Sequence, residues 1–158
     1  MSGRICRKMT SSSDENDSSE QQTPPRAIVA GHGLLPQGLV NAVDCISGRG
    51  SAFVVLSNYG LAGADIEQKL REAASAHGIK VFFTDLPGGS ATLSVRRMMR
   101  SDPAIVLVTG ANLTTLLEFV FQTDATPAEA ARSAAEKGRS TIAVFADDTA
   151  SHAVGGKL

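Results

Sequence analysis

The chain is short of the features that mark several protein classes. It has two cysteines in 158 residues, Cys6 and Cys45, too few for a disulfide framework, and neither sits in a close Cys/His array with zinc-ligand spacing. That usage fits a reducing cytoplasm, and no metal site is expected. An excess of one charge is also missing. Fifteen Lys and Arg against 16 Asp and Glu leave a net charge of -1, without the broad positive footprint of a nucleic-acid binder. The local cluster Arg96, Arg97 and Arg100 leaves room for a small acidic or phosphorylated partner. No apolar run approaches the roughly 20 residues that cross a bilayer. Arg4, Arg7 and Lys8 are followed by no apolar signal core, so neither direct membrane insertion nor export is expected. A chain of 158 residues is long enough for one domain with a buried core.

What is present falls into three segments. Residues 1–25 are rich in Ser, Asp, Glu and Gln and end in Thr23-Pro24-Pro25, the composition of a disordered, solubilising tail. Residues 26–147 alternate strand and helix signals, and residues 148–158 are expected to be a mobile tail that includes an inert His152. Apolar runs bounded by turn residues predict strands at Ala27 to Ala30, Phe53 to Leu56, Ile79 to Thr84, Ala104 to Val108 and Thr141 to Phe145. Three-to-four spacing predicts helices from Gly38 to Ile46, with Leu39, Val43 and Ile46 inward and Cys45 as core filler, and from Gly63 to His77, closed by Gly78. Further helices are expected at Ala91 to Arg100, carrying Leu93, Met98 and Met99, and after the cap Asn112, carrying Leu113, Leu116, Leu117, Val120 and Phe121. A last helix should start at Pro127 under Thr126 and Glu129 and end near Lys137-Gly138. The alternation argues an α/β fold: a doubly wound, mainly parallel open sheet with helices on both faces.

The stretch Arg26 to Gly38, RAIVAGHGLLPQG, places one histidine between two glycines at a strand's carboxyl end, where ligands gather in open α/β sheets. Pro36 suits the opening of the next helix. Asp85 is delivered to the same sheet edge by the third strand, and Pro87-Gly88-Gly89-Ser90 follows it. Glycines ahead of a helix let backbone N–H groups approach an anion, and Ser90 adds a hydroxyl. The loops Gly31-His32-Gly33, Asp85 to Ser90 and Thr109 to Asn112 should meet there. A carboxylate holding Nδ1–H of His32 leaves Nε2 free as a nucleophile. On spacing alone, His32 capping a turn and Asp85 capping a helix account for the pattern equally well.

These motifs resemble the enzyme IIA component of the mannose-type sugar phosphotransferase system (mannose/fructose/sorbose family). The resemblance rests on Ala27-Ile28-Val29-Ala30-Gly31-His32-Gly33, on Asp85-Leu86-Pro87-Gly88-Gly89-Ser90, and on Gly110-Ala111-Asn112-Leu113 with Leu116-Leu117-Glu118 behind it. It implies a phosphotransferase without cofactor. The position of His32 would be phosphorylated by the carrier HPr and would hand the group to a separate IIB protein, with Asp85 orienting it; on the loop pattern itself, Gly33, Gly88, Gly89 and Ser90 are the expected phosphate cradle. It also implies a homodimer in which the last strand, Thr141 to Phe145, is antiparallel and exchanged between subunits. Ala91 and Thr114 stand where the family often has proline. Two alternatives remain: a receiver phosphorylated on Asp85, and a flavodoxin-like binding module without chemistry. A receiver needs an acidic pair after its first strand, where this chain has Gly31-His32-Gly33.

Overall fold

In the computed structural model, the structure describes residues 24–145. The tails expected at residues 1–25 and 148–158 thus lie almost wholly outside the described residues. Between them run strand β1 (Ala27–Gly31), helix α1 (Leu35–Ser47), a 3-10 turn (Gly50–Ala52), β2 (Phe53–Ser57), α2 (Gly63–His77), β3 (Val81–Thr84), α3 (Ser90–Ser101), β4 (Val106–Thr109), α4 (Leu113–Phe121) and α5 (Pro127–Ser140). The strands form one four-stranded sheet in the order β2-β1-β3-β4, and every pairing is parallel. The expected doubly wound α/β sheet is therefore present.

Alternation along the central strands divides the core into two layers. Ala27, Val29, Val81 and Phe83 face α1, α4 and α5, meeting Val40, Val43, Leu116, Phe119, Val120 and the alanines of α5. Ile28, Ala30 and Phe82 face α2 and α3, meeting Ile66, Leu70, Val95 and Met98. A residue shift of one along β1 would exchange the two faces, so the register Ile28 with Phe82 and Val29 with Phe83 is fixed by burial. The first layer is cemented by rings: Phe83 and Phe119 lie 5.1 Å apart edge to face, and Phe53 and Phe119 lie 5.6 Å apart, a geometry aromatic quadrupoles favour.

The winding creates the crevice that matters. From β1 the chain moves outward to β2 through α1 on one face, then crosses back through α2 on the other face to β3 on the opposite side of β1. Right-handed crossovers require the face to change when the direction of travel reverses. The carboxyl ends of β1 and β3 consequently flank the topological switch point, the position at which open sheets of this kind bind ligands.

Several local expectations need correction. Helix α1 begins at Leu35, with Pro36 as its second residue, and its buried stripe is Pro36, Val40 and Val43. Cys45 and Ile46 are exposed, because they follow the last inward turn; Cys45 is not core filler. Phe121 and Leu93 are likewise exposed, while Phe119 and Val95 fill the core. Helix α5 continues to Ser140, and Thr141–Phe145 forms no strand in the single chain. Ile142, Val144 and Phe145 are 78 %, 91 % and 95 % exposed.

Candidate functional site

His32 follows β1 directly, and its loop is held by backbone contacts before its side chain is considered. Asn58 N–H donates to Gly31 O at 3.0 Å, and Leu35 N–H donates to His32 O at 3.1 Å. Ser57 Oγ donates to Gly33 O at 2.8 Å, while Gly33 takes a φ of 55°, the left-handed region that glycine enters without strain. Asp85, just past β3, completes the arrangement. Its Oδ2 accepts from the His32 backbone N–H at 2.7 Å and stands 2.9 Å from Nδ1 of the same residue. The carboxylate thus grips both the chain and the ring. The Asp85 side chain is 10 % exposed and the His32 side chain 52 %, so the anion is sheltered and the imidazole is open. Such a grip places the hydrogen of a neutral ring on Nδ1 and the lone pair on Nε2.

Two features show how tightly the pair is built in. A Cβ at Gly31 would stand 2.6 Å from the Asp85 carboxylate carbon, and one at Gly89 would stand 3.0 Å from His32 Cε1. Gly31 and Gly89 are thus the gaps that admit the carboxylate and the ring. The second carboxylate oxygen, Asp85 Oδ1, is buried without a hydrogen-bond partner among the described residues. A buried oxygen left unpaired costs free energy, and a positive ring beside the carboxylate would offset part of that cost.

The phosphate cradle expected from the sequence is partly differentiated. Leu86 to Gly89 closes a turn in which Gly89 N–H donates to Leu86 O at 3.0 Å, so this amide is already engaged. Gly88 has open space where its side chain would be. Ser90 opens α3, and its Oγ accepts from Asn58 Nδ2 at 2.9 Å. Thr92 anchors the turn from inside, with its Oγ1 donating to Leu86 O at 2.7 Å and meeting Thr84 Oγ1 at 2.7 Å. Helices α1 and α3 have no side-chain cap and no acidic residue in their first turns. Helices α4 and α5 are capped by Asn112 and by the Thr126–Glu129 capping box. Helix α2 also lacks a side-chain cap but carries Asp65 in its first turn; N-termini with neither a cap nor a first-turn acid, here those of α1 and α3 after β1 and β3, are suited to an anion.

The third loop, Thr109 to Asn112, serves a different purpose. Asn112 Oδ1 accepts from Thr115 N–H at 2.9 Å, and its Nδ2 donates to Gly138 O at 3.2 Å, which ties α4 to α5. Ser57 and Asn58, absent from the sequence expectation, join the site instead. Their only signal was position, at the carboxyl end of β2. For Asp85 as a phosphoacceptor the geometry is poor, since one oxygen is occupied twice by His32 and the other is buried. Among the described residues, no group of three or more His, Cys, Asp or Glu side chains could hold a metal ion, and no helix is long and apolar enough to cross a membrane.

A family model described as EIIA-man, PTS system fructose IIA component, matches residues 26–136. The chain belongs to this family. It is a IIA component of the sugar phosphotransferase system, and phosphotransferase chemistry in sugar transport is the activity that membership carries. Solved structures agree on the fold. The mannose/sorbose specific IIA subunit from Enterococcus faecalis matches with a TM-score of 0.66 at 20 % identity, covering 78 % of this chain and 96 % of that one. Component EIIA from Streptococcus agalactiae gives 0.61 at 21 % identity, covering 72 % and 93 %. The PTS IIA protein associated with the fucose utilization operon of Streptococcus pneumoniae gives 0.65 at 16 % identity, covering 76 % and 92 %. No curated protein matches.

Proposed function

We propose that this IIA component is a cytoplasmic phosphoryl carrier that accepts phosphate from phospho-HPr on Nε2 of His32 and passes it to a separate IIB protein. The observation that carries the proposal is the contact of His32 Nδ1 with Asp85 Oδ2 at 2.9 Å, at the switch point of the sheet. The Nε2 lone pair forms a bond to phosphorus while the P–N bond to the donor imidazole breaks and its electron pair returns to the donor nitrogen. The His32 ring keeps its proton on Nδ1 and becomes positive, and the Asp85 carboxylate balances that charge. Transfer to IIB runs the same step in reverse order.

Phosphoryl transfer demands position and charge stabilisation more than covalent help from the protein. Ser90 Oγ and the first-turn amides of α3, which follow the Gly89 that abuts the His32 ring, are the donors that would meet the phosphoryl group. Gly33 and Gly88 keep the approach unobstructed, and Gly89 contributes room for the ring. Leu34, Leu86 and Tyr59 stand exposed on the loops that follow β1, β3 and β2, which suits docking of a protein partner over capture of a free small molecule.

The same function comes with a homodimer. Edge strand β4 is half-buried, and a groove of about 420 Å³ beside it is lined by Met99, Val106, Val108, Ala131 and Arg132. An open edge of this kind invites another strand, and Thr141–Phe145 offers exposed Ile142, Val144 and Phe145. Exchange of that segment between two copies would pair both.

Labelled phospho-HPr tests the carrier role. Label should appear on the wild-type chain, survive base, fall off in acid, and be absent from His32→Ala. Label that base removes, or that persists in His32→Ala, would overturn it. Light scattering of the intact protein at micromolar concentration should show a dimer, and removal of residues from Ser140 onward should abolish it.

A further inference from the structure

The geometry points to Asn58 as a positioning residue that commits the Ser90 hydroxyl to donating toward the phosphoryl group. The inference rests on the carrier function proposed above and names a residue outside the His32 and Asp85 pair. Asn58 lies one residue past β2, and its backbone is fixed on both sides: its N–H donates to Gly31 O at 3.0 Å and its O accepts from Leu61 N–H at 3.1 Å. With the main chain held in this way, the side chain crosses 32 residues of sequence to place Nδ2 2.9 Å from Ser90 Oγ. The β2 loop is fastened to the His32 loop a second time through Ser57 Oγ and Gly33 O. Hydrogen bonds thus link Asn58, the His32 loop and Ser90 to one another.

A serine hydroxyl has one hydrogen to give and two lone pairs to fill. An Asn58 N–H directed at Ser90 Oγ fills one lone pair and repels the serine's own hydrogen from that side. The hydrogen is left to point elsewhere, and Ser90 donates to no protein acceptor among the described hydrogen bonds. A phosphoryl group presents only acceptor oxygens at neutral pH, so a serine with its hydrogen freed is the complementary partner. Without Asn58 the hydroxyl rotates freely and donates in that direction only part of the time. An aspartate in its place would do worse. Its carboxylate would accept the Ser90 hydrogen and would add negative charge beside the phosphate.

The test compares transfer from phospho-HPr to the full-length wild type, Asn58→Ala, Asn58→Asp, Ser90→Ala and the Asn58→Ala/Ser90→Ala double variant, with kcat and KM measured separately. Loss of one preorganised donor costs about 100-fold to 1000-fold where it serves an oxyanion fully. A residue that only orients that donor should cost less, about fivefold to fiftyfold. The expected pattern is a fall in kcat with KM for phospho-HPr little changed, Asn58→Asp slower than Asn58→Ala, and a double variant no slower than Ser90→Ala alone. Coupled residues fail to add in this manner. Losses that multiply in the double variant, or an Asn58→Asp rate equal to or above that of Asn58→Ala, would overturn the role of Asn58 while leaving the carrier function standing. A wild-type chain that takes no label would overturn the carrier function and the positioning role together.

Discussion

The two ends of the sheet treat their charged side chains in opposite ways. At the amino end, Arg26 donates to Gln122 O at 3.0 Å and Ala125 O at 3.2 Å, and Arg49 donates to Val120 O at 2.8 Å. Both guanidinium groups also lie over rings, Arg26 over Phe119 and Arg49 over Phe121. Burial, and then the nearby Arg49 charge, lower the pKa of Arg26. Lys80 meets Asp102 at 2.6 Å, and the other oxygen of Asp102 accepts from Ala104 N–H. These charges are absorbed by carbonyls at the end of α4 and by each other. At the carboxyl end, Asp85 keeps a buried oxygen with no hydrogen-bond partner among the described residues, His32 is half open, and the N-termini of α1 and α3 have neither a side-chain cap nor a first-turn acid. Saturated charges hold the fold; charges with valences left open are available to a ligand.

The largest expected effect breaks the carboxyl end. Asp85→Asn should slow phosphoryl uptake by roughly tenfold to ten-thousandfold, by analogy with residues that orient a catalytic histidine. The amide still touches Nδ1 but cannot balance a positive ring. Unchanged circular dichroism with a slow transfer rate is the expected pair of results; an unchanged rate would remove Asp85 from the mechanism. The amino end should respond in the complementary way. Arg26→Ala removes charged hydrogen bonds to two carbonyls and should lower stability by about 1.5 to 3 kcal/mol, read by urea unfolding, while folded protein transfers phosphate at the wild-type rate.

Gly31→Ala sharpens the comparison because it should register on both scales. Its Cβ would lie 2.6 Å from the Asp85 carboxylate, forcing either β1 or the side chain to shift. A cost of about 1 to 3 kcal/mol is expected for overpacking of this type, together with slower transfer, and both can be measured on one preparation. A variant with wild-type stability and rate would show that the carboxylate has freedom to withdraw.

The smallest effect concerns acid. Hydrogen bonds from Arg97 and then Arg71 hold the Glu67 pKa below its ordinary value of 4.5, and Lys80 with Ala104 N–H holds Asp102 below 3.8. The Thr126 hydroxyl and backbone N–H do the same for Glu129. A carboxylate with a lowered folded value binds fewer protons in the folded than in the unfolded state. Its contribution is complete above the ordinary value and is lost as pH falls through the lowered one. The thermal midpoint should therefore be flat above about pH 5 and decline below about pH 4, and Glu129→Gln should make the decline shallower.

Much of this fold is legible locally. The bounds of α2, the αL glycine Gly78 that ends it, the Asn112 cap and the Thr126–Glu129 box all come from spacing within a few residues, where backbone sterics and capping chemistry act alone. His32 and Asp85 could be proposed as partners because each ends an apolar run and α/β winding brings such ends together. What the sequence could not settle lies in contacts between distant residues. Phe119 in place of Phe121 as the core ring, the grip of Arg26 on the end of α4 across 96 and 99 residues, and the reach of Asn58 to Ser90 depend on which helix face meets the sheet, a choice made by packing. Gly31 looks like an ordinary strand terminus until the Asp85 carboxylate occupies the space its side chain would fill. The segment Thr141–Phe145 shows the converse limit. Its apolar pattern reads as a strand, but a strand exists only where it pairs with a neighbour, and among the described residues Thr141–Phe145 pairs with no strand, although β4 leaves one edge of the sheet open.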